Sequence, residues 1–185
     1  MNPLEQFSQA VNRVQKTVET EFSGLDLSML NYKPAADSWS ILECLEHLNR
    51  YSRYYNQALA KAMAQQPGGN YVQTIRYTWF GKMSLDTVRP QNGKRSKTLQ
   101  RMNPNNSNLS HATLQEFLKH QTDLLALLEQ ARKTDLNRKA IPVEFFKLLK
   151  LRIGEALEFV IAHQERHVQQ ALRVKQQQLG RQVAA

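Results

Sequence analysis

Residues 153–174 read IGEALEFVIAHQERHVQQALRV. Ile153, Leu157, Val160, Ala171 and Val174 fall on one face by the 3-and-4 spacing of an amphipathic helix. His163 and His167 sit in the middle of that stripe, four residues apart. Residues four apart on a helix lie one above the other, so two imidazoles project from a face that is otherwise built for burial. Buried without partners they would be costly; their ring nitrogens can instead converge on a single ion. A third inward ligand from elsewhere in the chain would complete a metal site.

Working outward, this helix runs to about Gln178 and is the last of four. Residues 3–22 form the first, with Leu4, Phe7, Val11, Val14, Val18 and Phe22 as its stripe, Pro3 in the first turn and Gly24 just past the end. After a linker containing Pro34, Ser38 or Ser40 caps a second helix, and Glu43 stands three residues beyond Ser40 as in a capping box. Its seam is Ile41, Leu45, Leu48, Ser52, Tyr55 and Leu59; it reaches about Ala64 and must stop by Pro67-Gly68-Gly69. Ser110 caps a third helix whose buried side is Leu114, Phe117, Leu118, Gln121, Leu124, Leu125 and Leu128.

Between the second and third helices, residues 70–109 carry a short helix at most, then a polar, basic, turn-rich run. A connection this long in a small domain is functional or mobile, and it is the natural candidate for a lid. Residues 134–151 form another connection around Pro142, with an apolar patch at Phe145, Phe146, Leu148 and Leu149. Internal repeats and long alternating strand patterns are absent. The expectation is a single all-α domain over residues 1–185, a four-helix bundle with one long loop.

Composition sets the class. The chain has 185 residues, 41% hydrophobic, enough for one domain with a substantial core. No apolar run approaches the roughly 20 residues that span a bilayer, and the polar N-terminus lacks the apolar core of a secretory signal. A single cysteine, Cys44, cannot form an internal disulfide. These features point to a cytoplasmic setting and no membrane partner. The net charge of +9 invites a nucleic-acid reading, but Lys82, Arg89, Lys94, Arg95, Lys97 and Arg101 cluster in one loop-like region without a base-reading motif. No nucleic-acid partner is expected; an anionic small-molecule substrate suits those charges as well.

The pattern HQERH is not the zincin motif, because Gln164 holds the place of the general-base Glu, and Arg166 precedes His167 where the inverted motif needs Glu. Glu165 and Arg166 are expected to face solvent. His47, beside the seam of the second helix, is the best third ligand. His111 and His120 read as helix-end and surface residues. Cys44, three residues before His47, can add a thiolate, although a small buried hydrophobe is the commoner fate of such a residue.

With these residues in hand, the segments DSWSILECLEHLNRY (Asp37–Tyr51) and LRIGEALEFVIAHQERHVQQALRV (Leu151–Val174) resemble the DinB/YfiT-like family. In that family a Trp-Ser pair opens the second helix, one His follows, and a His-x-x-x-His pair lies on the fourth helix. Here these are Trp39-Ser40, His47, His163 and His167, with Gln170-Ala171 after the last His. The resemblance covers essentially the whole chain. It implies a bundle holding a divalent metal, nickel or zinc, on three His nitrogens. It also implies a low-molecular-weight thiol cofactor such as bacillithiol or glutathione, and a homodimer.

A three-His set leaves the metal its full charge and an open position, which activates a bound thiol or water. The leading expectation is thiol S-transfer to an electrophilic small molecule, with Arg89, Lys94 or Arg95 gripping the thiol's carboxylates. Metal-dependent hydrolysis is the enzymatic rival. It wants a nearby carboxylate, for which Glu43 and Glu46 are the candidates, although both suit cap or surface roles. A non-catalytic metal-binding or interaction module is the third reading. Tyr51, Tyr54, Trp79 and Phe80 line a pocket or pack in the core.

Overall fold

A computed structural model describes residues 2–93, 98–144 and 146–183. Among them, four helices of 20 residues or more form the bundle: α1 (Pro3–Phe22), α3 (Ile41–Ala64), α5 (His111–Ala131) and α6 (Ile153–Val183). Shorter elements fill the connections. They are α2 (Leu27–Leu30), α4 (Trp79–Val88), a 3-10 turn at Gln100–Met102, and an antiparallel hairpin of β1 (Lys139–Val143) and β2 (Phe146–Arg152). No described helix is long and apolar enough to cross a membrane.

Helix starts follow local chemistry. Asn2 caps α1 by accepting from the Leu4 backbone N–H, with Pro3 at the first helical position. Ser40 and Glu43 form the expected capping box of α3. Ser110 caps α5. Each of α1 and α3 packs against α5 and α6, so α3 and α1 stand across the bundle from one another. The α6 stripe of Ile153, Leu157, Val160, Ala171 and Val174 is buried throughout. Each of the larger aliphatic side chains, Ile153, Leu157, Val160 and Val174, stabilises the fold by ~1.5–3 kcal/mol.

The structure departs from the sequence reading in four places. Residues 139–152 pair as a hairpin, where only a connection was expected; the register shifts twice, between Lys139 and Ile141 and between Pro142 and Val143. On α5 the buried face takes Leu127 and Ala131 and leaves Leu118 and Leu125 half-buried, because the helix is gripped by α1 as well as α3. Helix α6 continues to Val183, past Gly180. Arg166 is half-buried rather than solvent-facing, and its guanidinium donates to the backbone carbonyls of Arg89 and Asn92. Glu165 is half-exposed and pairs with Arg13 at 3.6 Å.

One buried carboxylate locks α4 to the start of α6. Glu155, fully buried, accepts from the backbone N–H and hydroxyl of Thr78, the cap of α4, and from the Arg152 N–H. Gly81 lies so close that a Cβ there would overlap the Glu155 carboxylate. This clamp seats α4 against α6, and the 89–92 stretch beyond it is held by Arg166.

Candidate metal centre

Residues 116 positions apart in the chain meet on the seam between α3 and α6. His47 and His163 place their Nε2 atoms 3.1 Å from one another. One ligand nitrogen from each of His47, His163 and His167 lies within 4.8 Å of the others. His47 and His163 are buried and His167 is half-buried. The ring centroids form a near-equilateral triangle, 4.6 to 4.9 Å on a side.

The outer nitrogens decide which atoms face inward. Nδ1 of His47 is 2.7 Å from the Met102 carbonyl oxygen, which can only accept, so the proton is on Nδ1 and the Nε2 lone pair is free. His167 repeats the arrangement, with Nδ1 2.9 Å from Oε1 of Gln170. A hydrogen-bonded outer nitrogen is what orients a metal-ligating imidazole. His163 has no described partner at Nδ1.

The donor set fits a cation. The His47 Nε2 lone pair faces His163 Nε2 at 3.1 Å, so His163 either spends its Nε2 proton there or opposes lone pair to lone pair. In both cases a buried His163 Nδ1 stays without a described partner, and a cation at the centre would make all three inward lone pairs attractive. Burial is also the chief cause that lowers all three pKa values: His47 to about 4, His167 to about 3, and His163 well below its usual value, aided by the neighbouring imidazoles. All three are therefore neutral at pH 7, the form that ligates metals.

Aromatic walls enclose the triad. The Trp39 ring lies 4.7 Å from His47 and 5.6 Å from His167. Tyr51 lies 5.0 Å from His47 and 4.5 Å from His163, with Phe159 5.8 Å from His163. The Met102 carbonyl is itself held in place, because Nη1 of Arg50 donates to the carbonyls on either side of it, Arg101 at 3.2 Å and Asn103 at 2.9 Å. Arg50 is braced through Nε by Glu46, which also pairs with Arg53, and Arg53 continues to Glu116 on α5. Asn106 N–H donates to Glu43, and Lys33 reaches Glu43 and Asn105. The 101–106 segment is thereby fastened along α3.

Other residues singled out in the sequence lie elsewhere or are already engaged. The Arg89 guanidinium bonds Asp86 at 3.3 Å and Glu158 at 3.1 Å. Lys94 and Arg95 lie outside the described residues. Cys44 is fully buried in an apolar cluster, and burial pushes its thiol pKa up. His111 bonds the Leu25 carbonyl, and His120 sits beside Glu116 and Asp123. Trp79 is 78% exposed. Tyr54 donates to the Pro142 carbonyl, and Phe80 packs at the edge of the core.

Sequence reasoning missed Glu144, at the hairpin turn. Its Oε1 pairs with Arg101 Nε at 2.7 Å, and its buried Oε2 has no described partner. It acts electrostatically on Tyr51, whose pKa burial raises to about 12 with Glu144 as a second cause. No local pattern in the sequence marks a turn glutamate as a neighbour of a residue on α3.

Helices crossing in a four-membered bundle, with three imidazoles converging from two of them, define the class: helical bundles with a candidate three-His metal site. The chain belongs to the DinB superfamily, which it matches over residues 10–171 and which is generally metal-binding. It is similar to the uncharacterized protein YuaE of Bacillus subtilis (strain 168), at 25% identity over 166 residues, 89% of this chain and 94% of the relative. No solved structure matches the chain.

Proposed function

We propose that His47, His163 and His167 hold a divalent metal ion, nickel or zinc, and that the protein is an enzyme transferring a low-molecular-weight thiol to an electrophilic small molecule. The observation that carries the metal is the convergence of three neutral imidazole nitrogens, two of them oriented by outer hydrogen bonds. When bound, such an ion supplies a Lewis acid that lowers the pKa of a thiol or water at an open position. Imidazole serves several divalent metals alike, so the ligands do not choose between nickel and zinc.

The chain's own residues supply the rest. Met102 and Gln170 hold the imidazoles in one tautomer, and Trp39, Tyr51 and Phe159 limit water around them. Neither carboxylate considered for hydrolysis is available as a proton acceptor: Glu43 closes the α3 cap and receives Asn106, and Glu46 is paired with Arg50 and Arg53. That favours thiol transfer. Hydrolysis stays as a second reading on one observation, the unpartnered Glu144 Oε2 near Tyr51.

Arg89 holding a thiol's carboxylate would require exchange with Asp86 or Glu158. Reversing the charge of Arg89 and Lys94 together tests that role, with a raised KM for the thiol and unchanged metal content as the expected outcome.

Elemental analysis of tag-free protein tests the metal. Near-stoichiometric nickel or zinc is expected, and its loss in His47→Ala and His163→Ala. Failure to take up any divalent ion on reconstitution would sink the proposal. Thiol consumption against a panel of electrophiles, measured beside ester and amide hydrolysis, then separates transfer from hydrolysis.

A further inference from the structure

The bundle core is divided. One apolar cluster contains Val11 of α1, Tyr55 of α3, Leu124 of α5 and Ala162 of α6; the other contains Val14, Leu48, Phe117 and Val168 of the same helices. Between the two clusters, three helices turn polar at one level. Ser52 on α3 lies between Leu48 and Tyr55, Gln121 on α5 between Phe117 and Leu124, and Gln164 on α6 between Ala162 and Val168. All three are at most 1% exposed. On α1, whose Val11 and Val14 belong to opposite clusters, no polar side chain is buried at that level.

None of the polar side-chain atoms of these residues has a hydrogen-bond partner among the described residues: Oγ of Ser52, and both Oε1 and Nε2 of Gln121 and of Gln164. Buried polar groups in native proteins are almost always partnered, and an unsatisfied one is costly. Two wholly buried glutamines without a single bond between them therefore call for an occupant. The atoms constrain its chemistry. Amide nitrogens donate only, amide oxygens accept only, and the hydroxyl does both. A metal ion would oppose the amide nitrogens and an anion the amide oxygens, whereas water both donates and accepts and is the usual tenant of a polar interior site.

We propose that this level is a buried hydration site, in which ordered water bridges Gln121, Gln164 and Ser52. The site draws on α3 and α6, the two helices that carry the histidines, and on α5. It stands whether or not the triad holds a metal.

Oxygen-17 relaxation dispersion on the chelator-treated protein counts long-lived internal water without a contribution from any metal. The wild type is compared with Gln121→Met and the double variant Gln121→Met/Gln164→Met. The expected result is a signal that falls in the double variant, and a lower Tm for Gln121→Met, because the single change strips partners from the remaining water and from Gln164. A crystal structure of the wild type is expected to show water within hydrogen-bond distance of both amides. A water signal equal in the wild type and the double variant overturns the proposal, whatever the Tm. So does a structure in which the two amides bond directly with no water between them, or a higher Tm for Gln121→Met, the mark of a dry level relieved of an unpaired amide.

Discussion

His47 and His167 each give an outer proton to an oxygen, and that choice decides which nitrogen faces the centre. Burial holds both neutral, with pKa values of about 4 and about 3 against an unperturbed 6.5. Because the fold favours the neutral form, this contribution to stability is complete above the unfolded pKa and is lost as pH falls from about 6.5 towards 4. Each unit of separation corresponds to ~1.4 kcal/mol. The metal-free protein is therefore expected to show a urea midpoint at pH 5 clearly below that at pH 7.5. A flat profile over that range would mean that the imidazoles are hydrated in the fold. Protons and metal compete for the same nitrogens, so the loaded protein should hold its ion through that window and release it only as the pH approaches the folded-state values of about 4 and about 3.

At the scale of elements, the site depends on two fastenings. Arg50 grips the carbonyls flanking Met102 and so presents that carbonyl to His47. Arg50→Met keeps Glu46 paired with Arg53, so the helix survives; metal affinity is expected to fall, by less than the ~10–100-fold that losing the outer hydrogen bond itself costs. Competition with a chromophoric chelator measures it, and an unchanged affinity would assign the 3-10 turn no part in orienting the ligand. The second fastening is Glu155 with Thr78. Gly81→Ala forces a methyl group into that carboxylate and is expected to destabilise the fold by ~1–3 kcal/mol, read from the urea midpoint.

The long helices were legible because each carries its own punctuation: Pro3, the Ser40–Glu43 box and Ser110 mark starts, and apolar stripes mark the buried faces. His163 and His167 were legible as a pair for the same reason, since four residues are one turn. The hairpin was not, because two register shifts and the exposed Leu148 erase the alternation by which strands are recognised. Two neighbours of the site were hidden for a different reason. Met102 acts through its backbone carbonyl, which no side chain advertises, and Glu144 comes near Tyr51 only through the packing of the hairpin on α3.

For the molecule as a whole, an ion bound by α3 and α6 together ties two long helices of the bundle and has no preformed site in the unfolded chain. Binding then adds to stability by mass action, about 2.7 kcal/mol when free metal is 100 times its Kd. Chelation is expected to lower Tm, and readdition of metal to restore it. A Tm indifferent to both would mean that the triad contributes to the fold only as packed imidazoles.

The 116 residues that separate His47 from His163 also set a timetable. A chain elongating at ~5–20 residues per second needs roughly 6 to 23 seconds to pass from the first of these histidines to the second. During that interval His47 is a solitary imidazole with little hold on any ion. With the proposed ligand set, metal capture would be a late event in the life of each molecule, open only once α6 has been synthesised and has docked, and a ribosome stalled before residue 163 would carry a chain that cannot be loaded.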